Sequence, residues 1–322
     1  MFIPVVLFIV GLILLIKGGD WFVEGATGIA HRFHVPEILI GATVVSIGTT
    51  LPEVMVSATS ALGGHGEMAY GNAIGSIICN TALIAAITIA VCPSRTDRRA
   101  LKTPVIFFFI AALFYMGVAY FTGRFSRGVG AILLVIFVVY MIITVRQVKM
   151  QPQPEATSEE QEGKQNSAAK DIGLLVIGAV LIAVGANLLV DNGTIIATEL
   201  GVPESVIALT FVALGTSLPE LVTAITSLAK GHGALSLGNV IGANLFNLVL
   251  VSGVSSVLAP FDIPDSKSIA GMNSSLLVDL PLMLFVMAFL TLPALKRGRL
   301  SRWQGIILLV IYGGFCIFQF VM

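Results

Sequence analysis

Displaced by 167 residues, this sequence lies over itself. Val35-Pro36-Glu37 meets Val202-Pro203-Glu204, and the register runs without a gap to Asn80 and Asn247, with 21 of the 46 pairs identical. Within it, Gly48-Thr49-Thr50-Leu51-Pro52-Glu53 meets Gly215-Thr216-Ser217-Leu218-Pro219-Glu220, and Gly71-Asn72-Ala73-Ile74-Gly75 meets Gly238-Asn239-Val240-Ile241-Gly242. The register also reaches backward, pairing Gly11 with Gly178, Gly18 with Gly185 and Glu24 with Asp191. Self-similarity at one fixed offset means two copies of one architecture.

What the copies are made of decides the class. The chain of 322 residues is 56% hydrophobic and only 11% charged, with a mean hydropathy of +0.97, against about 25% charged in soluble domains. Its apolar runs have the length that crosses a hydrocarbon core of roughly 30 Å. The reading is an all-α polytopic membrane protein, with helices predicted near 3–25, 38–62, 68–92, 104–122, 127–146, 172–192, 205–229, 235–259, 276–293 and 302–321. The first is expected to be retained rather than cleaved, since no basic residue precedes it and Lys17 follows its apolar run. With 18 basic and 18 acidic residues, no charge excess points to nucleic acid. Cys79, Cys92 and Cys316 are odd in number and give no disulfide framework.

Basic residues set the orientation. If the N-terminus faces out, 14 of the 18 fall on one side: Arg32, Arg95, Arg98, Arg99, Lys102, Arg146, Lys149, Lys164, Lys170, Lys230, Lys296, Arg297, Arg299 and Arg302. The positive-inside rule therefore puts both termini outside. The stretch 147–170, rich in Gln, Glu, Pro and Ser, is expected to be a flexible cytoplasmic linker. It separates a first five-helix repeat, 1–146, from a second, 171–322. Five is odd, so the second copy enters the membrane in the opposite sense, as an inverted repeat. In such folds the substrate site lies near the midplane, where interrupted helices of both halves meet. The duplicated blocks name the second and third helices of each half.

Glu53 and Glu220 fall deep within apolar spans, where an acid costs about 2.5 to 3.5 kcal/mol on insertion scales. No Lys, Arg or His shares their depth, so the counter-charge is read as a transported cation. Pro52 and Pro219, each following a glycine by one turn, should unwind their helices and free carbonyl oxygens. Thr49, Thr50, Thr216 and Ser217 add hydroxyls, and Asn80 and Asn247 each supply an amide oxygen without charge. Such an all-oxygen set suits Ca²⁺ or Na⁺. The glycines of the Gly-Asn-x-x-Gly blocks also allow close helix approach.

Two copies of G-T-[ST]-L-P-E, each followed by G-N-x-x-G, resemble the α-repeats of the calcium/cation antiporter superfamily, the sodium/calcium exchangers, and most closely its compact bacterial branch. The resemblance implies a ten-helix inverted-repeat antiporter of the inner (plasma) membrane. One Ca²⁺ and several Na⁺ would alternately occupy a central diamond of sites, with the cations as substrates and no cofactor. It implies that Glu53 and Glu220 bind both ions, that Thr49 and Thr216 help bind Ca²⁺, and that Thr50, Ser217 and Ser76 bind Na⁺. The carbonyls of Ser46 and Ala213 would supplement them, with Asn80 and Asn247 lining the middle. It implies no nucleic acid and no obligate protein partner; the bilayer itself is the surrounding medium. This chain departs from the pattern at Ala243, where the second repeat usually has serine, at Ile77, which replaces an asparagine, and at Asn247, where some relatives have aspartate. Those departures bear on the coupling ion and the stoichiometry.

Other residues read more blandly. His65 and His232 occupy matching Gly-His-Gly turns, as turn residues or as groups titrating near neutrality. Glu24 and Asp191 are mouth acids or solvated ones; Trp21 and Trp303 read as interfacial anchors. Two other functions compete. A passive cation channel could use the same oxygens, and would differ in not requiring a counter-ion. An intramembrane enzyme is disfavoured, because His-Glu-x-x-His and Gly-x-Ser-x-Gly are both missing from the sequence. Within the antiporter reading, a Ca²⁺/H⁺ or K⁺-linked exchanger is the alternative to Na⁺ coupling.

Overall fold

The computed structural model describes residues 2–93, 96–150, 167–200, 215–264, 268–269 and 271–321. They form α1 (Phe2–Arg32), α2 (Glu37–Leu62), α3 (Gly66–Val91), α4 (Arg98–Thr122), α5 (Arg127–Met150), α6 (Ala168–Glu199), α7 (Leu218–Ala229), α8 (Gly233–Leu258), α9 (Ser275–Arg297) and α10 (Arg302–Val321). Among the described residues, nine of these are long and apolar enough to cross a membrane, and α7 is a shorter apolar helix. The first part of the predicted seventh helix lies outside the described residues.

The helices α1 and α6 run longer than hydropathy alone predicts, at 31 and 32 residues. At 1.5 Å per residue each is about 46 to 48 Å long, well beyond a core of roughly 30 Å. The reason is local: after Lys17 the apolar signal of α1 fades into Asp20, Glu24, His31 and Arg32, yet no proline breaks the helix before Pro36. The two pack antiparallel along a glycine seam. A β-carbon on Gly11 would stand 2.9 Å from the Gly185 carbonyl oxygen, and one on Gly185 would stand 2.8 Å from that of Gly11. Larger residues would force the pair apart. Because Gly11 and Gly185 belong to repeat-related seams, the contact is two-fold by construction.

The other helices enclose α8, which is buried along most of its length. Ile74, Ile78, Phe108, Tyr115, Phe246, Met283 and Leu290 form the main core between α3, α4, α8 and α9. A second cluster joins Leu15, Phe22 and Ile182 of the α1/α6 pair to Ile40 and Val45 of α2. Two short strands, β1 (Arg124–Phe125) and β2 (Phe261–Asp262), pair antiparallel and tie the α4–α5 connection to the one after α8. Phe125 stacks between Tyr115, at 4.3 Å between ring centroids, and Phe261, at 5.3 Å.

The two helix hairpins of the duplicated blocks close with the same turn. Gly64 and Gly231 sit at φ +82° and +84°, a left-handed conformation that glycine adopts without a β-carbon clash. The following histidine N–H then bonds back to the helix end, His65 to the Ser60 carbonyl at 2.9 Å and His232 to that of Ser227 at 2.7 Å, as in a Schellman cap.

Candidate functional site

The site begins with the close approach of α2 and α8, one from each repeat. A β-carbon on Gly41 would meet the Asn239 nitrogen at 2.8 Å, and one on Gly242 would meet the Ala42 Cα at 2.6 Å. At this contact α2 makes a π-helical turn, Gly41–Val45. Such turns also open at the two repeat-related asparagines, over Asn80–Ala85 in α3 and Asn247–Val251 in α8. The wider turn takes up an extra residue and shifts the side chains that follow around the helix.

The proline expectation holds for one repeat only. Around Pro52, α2 continues without a break from Ser46 to Leu62; the predicted unwinding is absent there, because π-helical winding precedes it and the chain stays helical. Pro52 has no N–H, which still leaves the Gly48 carbonyl without its helical partner. In the second repeat, Gly215–Ser217 form a turn and α7 starts at Leu218, with Pro219 in its first turn, where a missing N–H costs nothing.

Glu53 and Glu220 are wholly buried, and the two carboxyl groups lie within electrostatic reach of one another. None of their four carboxyl oxygens has a hydrogen-bond partner, nor has the Thr50 hydroxyl, the Ser217 hydroxyl, or the side-chain amide of Asn80 or Asn247. These six residues are three repeat-related pairs. Buried polar groups are ordinarily satisfied, and leaving one unpaired costs about 1 to 3 kcal/mol, more for a charged group. Six such residues, paired between the repeats, are candidate oxygen donors for a ligand. Thr49 is buried and lies beside Glu220 of the other repeat. Ser46 and Ser76 are buried too; the Ser46 hydroxyl donates to the Gly41 carbonyl at 2.7 Å. Thr216 is half-buried, and Ala213 lies outside the described residues. Among the described residues no group of three or more His, Cys, Asp or Glu side chains occurs, so a cation here would meet two carboxylates and neutral oxygens.

Sequence reasoning passed over two residues, Asn72 and Asn239. Thr216 donates to Asn72 Oδ1 at 3.2 Å, and Thr49 donates to Asn239 Oδ1 at 3.2 Å. Each asparagine thus grips a threonine of the opposite repeat. The signal was present, because both lie 167 residues apart inside the duplicated Gly-Asn-x-x-Gly block, but the flanking glycines drew the interpretation toward packing.

Residues 3–146 and 170–321 match the family described as sodium/calcium exchanger protein. The sodium/calcium exchanger MaX1 of Methanosarcina acetivorans is 30% identical over 353 aligned residues, covering 97% of each chain. An uncharacterized membrane protein of Methanocaldococcus jannaschii is 35% identical, covering 95% of this chain and 94% of its own. A solved structure of the sodium-calcium exchanger NCX_Mj, soaked with Na⁺ and Sr²⁺, superposes with a TM-score of 0.80 at 32% identity over 97% of both chains. This chain belongs to the sodium/calcium exchanger family.

The exchanger is accordingly a multi-pass membrane transporter of ten helices in two inverted repeats, and not an enzyme. Family members need no cofactor; cations are their substrates. Away from its centre, among the described residues, a histidine–carboxylate contact and two salt bridges tie the exchanger's helices together. His232 Nδ1 meets Glu37 Oε1 at 2.8 Å, Lys230 Nζ meets Asp20 Oδ1 at 3.2 Å, and Arg32 meets the buried Asp171 at 3.4 Å. The two histidine turns therefore differ in company: His232 pairs across to α2, whereas His65 is exposed. Glu24 and Asp191 are exposed, as are Trp21 and Trp303.

Proposed function

We propose that this exchanger is a secondary active antiporter that moves Ca²⁺ against Na⁺ by alternating access, at a midplane site built from α2, α3, α7 and α8. The observation that carries this reading is the three repeat-related pairs of buried, unpartnered oxygen-bearing residues, Glu53 with Glu220, Thr50 with Ser217, and Asn80 with Asn247. Two carboxylates give the site a charge that one Ca²⁺, or two monovalent cations, would neutralise. Thr49, Thr216 and Ser76, with the carbonyls of Ser46 and Ala213, complete the ligand set by position. Because the two halves are inverted copies, exchanging their conformations would open the same site to the opposite side. The distribution of basic residues supports both termini outside and the linker in the cytoplasm of a cell's inner membrane.

One observation favours a second coupling ion. Ala243 is fully buried and has no side-chain oxygen where the first repeat has Ser76, which weakens any Na⁺ site on that side and leaves room for H⁺ or K⁺ to contribute. Uptake of radioactive Ca²⁺ into proteoliposomes under separately imposed Na⁺, K⁺ and H⁺ gradients tests both readings. Uptake driven by an outward Na⁺ gradient is the expected result. Flux that ignores every counter-ion gradient would mean a channel instead.

A further inference from the structure

We propose that Asn72 is a positioning residue that fixes the Thr216 hydroxyl as an acceptor toward the transported cation, and that its repeat counterpart Asn239 does this less firmly for Thr49. The inference rests on the ion site proposed above and assigns a task to residues outside its ligand set. A threonine hydroxyl has one hydrogen and two lone pairs. To coordinate a cation through a lone pair it must send its hydrogen elsewhere, and something must accept it.

The partners of Asn72 fix the direction. Its Nδ2 lies 3.3 Å from the Glu53 carbonyl oxygen and 2.8 Å from the Ser57 hydroxyl. A carbonyl can only accept, so the amide nitrogen must face Glu53. The amide oxygen then faces Thr216, 3.2 Å away, and Thr216 must donate to it. Both lone pairs of the Thr216 oxygen are left for another group. One asparagine on α3 thereby holds the backbone of the Glu53 residue in its own repeat and aims a hydroxyl in the other.

Asn239 has the same acceptor contact, with Thr49 at 3.2 Å. Its Nδ2, however, has no partner. One of the two partners is missing from the sequence itself: where the first repeat has Ser57, the second has Ala224; the contact to the glutamate carbonyl, made in the first repeat to Glu53, is not made in the second. Nothing on the nitrogen side stops the Asn239 amide from turning over, and a turned amide would donate to Thr49 and take up one of its lone pairs. Thr216 is the preorganised ligand of the two, and preorganisation is what raises affinity without adding contacts.

The test uses the full-length protein in proteoliposomes, reading the Ca²⁺ concentration for half-maximal exchange and the maximal rate. Asn72→Ala should raise the half-maximal concentration about three- to tenfold, the weight of a typical hydrogen bond, while the maximal rate changes less than twofold. Combined with Thr216→Val it should do no further harm, since both remove the same ligand; combined with Thr49→Val the losses should multiply. Asn239→Ala should cost less than Asn72→Ala. Asn72→Asp is close to isosteric and keeps the acceptor for Thr216 but loses the donor to the Glu53 carbonyl, so its half-maximal Ca²⁺ concentration should fall between those of wild type and Asn72→Ala. It also serves as the variant of record if Asn72→Ala fails to fold. Weakening by Asn72→Asp equal to that by Asn72→Ala, or full additivity of Asn72→Ala with Thr216→Val, would show that Asn72 only supports the fold. Glu53→Gln separates this from the parent reading: if Glu53→Gln still exchanges Ca²⁺ the site itself is misassigned, whereas a dead Glu53→Gln beside an unaffected Asn72→Ala overturns the positioning role alone.

Discussion

At the centre of the bundle three polar residues of one repeat are answered by the other: Glu53 by Glu220, Thr50 by Ser217, Asn80 by Asn247, all buried and none with a side-chain hydrogen bond. At the ends of the same helices the copies have diverged. Gly66 packs directly against the Phe261 side chain, in an aromatic stack that includes Tyr70, Tyr115 and Phe125. Its counterpart Gly233 instead lines a cavity of about 310 Å³ with Ser236, Leu237, Cys92 and Leu300. Tyr70 fills one end, and Leu237, its counterpart, leaves the other open. The contrast has a physical origin. In the proposed site a shared cation would need donors from both copies at once, which would tie the centre to two-fold symmetry, whereas the ends pack against connections that the duplication did not copy, such as the β1–β2 pair.

The largest effects should come from the symmetric centre. Glu53→Gln and Glu220→Gln each keep the shape and remove half of the charge that balances Ca²⁺. Removing one partner of a buried charge pair costs about 3 to 5 kcal/mol, so each variant should lose Ca²⁺ exchange by a hundredfold or more while eluting as a monodisperse protein. Near-normal Ca²⁺ uptake by either one would break the symmetry argument at its strongest point.

Next in size is a place where the centre itself is unequal. Ser76 has Ala243 as its counterpart, and both are buried. Restoring the oxygen with Ala243→Ser should tighten Na⁺ activation about tenfold, the value of a ligand regained by a buried ion, and raise the Hill coefficient for Na⁺. A wild type already steeply Na⁺-dependent and unchanged by Ala243→Ser would mean that another oxygen already serves in its place.

Much of this centre was legible in the sequence because its signals are local and duplicated: an acid in an apolar run, a proline after a glycine, an asparagine at a matching place in the next helix. What escaped were relations between helices. The π turns at Gly41, Asn80 and Asn247 leave no mark in hydropathy, so the unwinding was expected at Pro52 and found elsewhere. The clasp of Asn72 on Thr216 spans 144 positions, and only packing brings the two together. The overlength of α1 and α6 was hidden by charged residues that end an apolar window but do not end a helix. The pairing of His232 with Glu37 likewise crosses from one repeat to the other, and the symmetric reading of the two histidine turns could not foresee it.

At the ends the prediction concerns stability rather than flux. A methyl group on Gly66 would be driven into Phe261, and overpacking of this kind costs about 1 to 3 kcal/mol. On Gly233, beside the cavity, the same change should cost less than about 0.5 kcal/mol. Thermal unfolding in detergent should therefore show Gly66→Ala clearly below wild type and Gly233→Ala near it. Equal shifts would mean that the two ends pack alike and that the cavity has no energetic counterpart.

The smallest effect is expected from the segment with no counterpart in either repeat, between α5 and α6. The helices on either side are held without its help: Gln147 bonds the Thr103 hydroxyl at 2.7 Å, and Asp171, four residues beyond the Ser167 cap of α6, is buried against Arg32 of α1. Residues 151–166 contain no large apolar side chain, so replacing them removes no sizeable apolar group. Replacing them with a Gly/Ser connector of equal length preserves the reach between the helices while erasing the sequence. Ca²⁺ flux and its half-maximal concentration should stay within about twofold, and the unfolding temperature should not move, since surface changes of this kind fall within about 0.5 kcal/mol. If the protein stays folded but its Ca²⁺ dependence shifts, the segment regulates the exchanger, and a part outside the duplication would then control the symmetric centre.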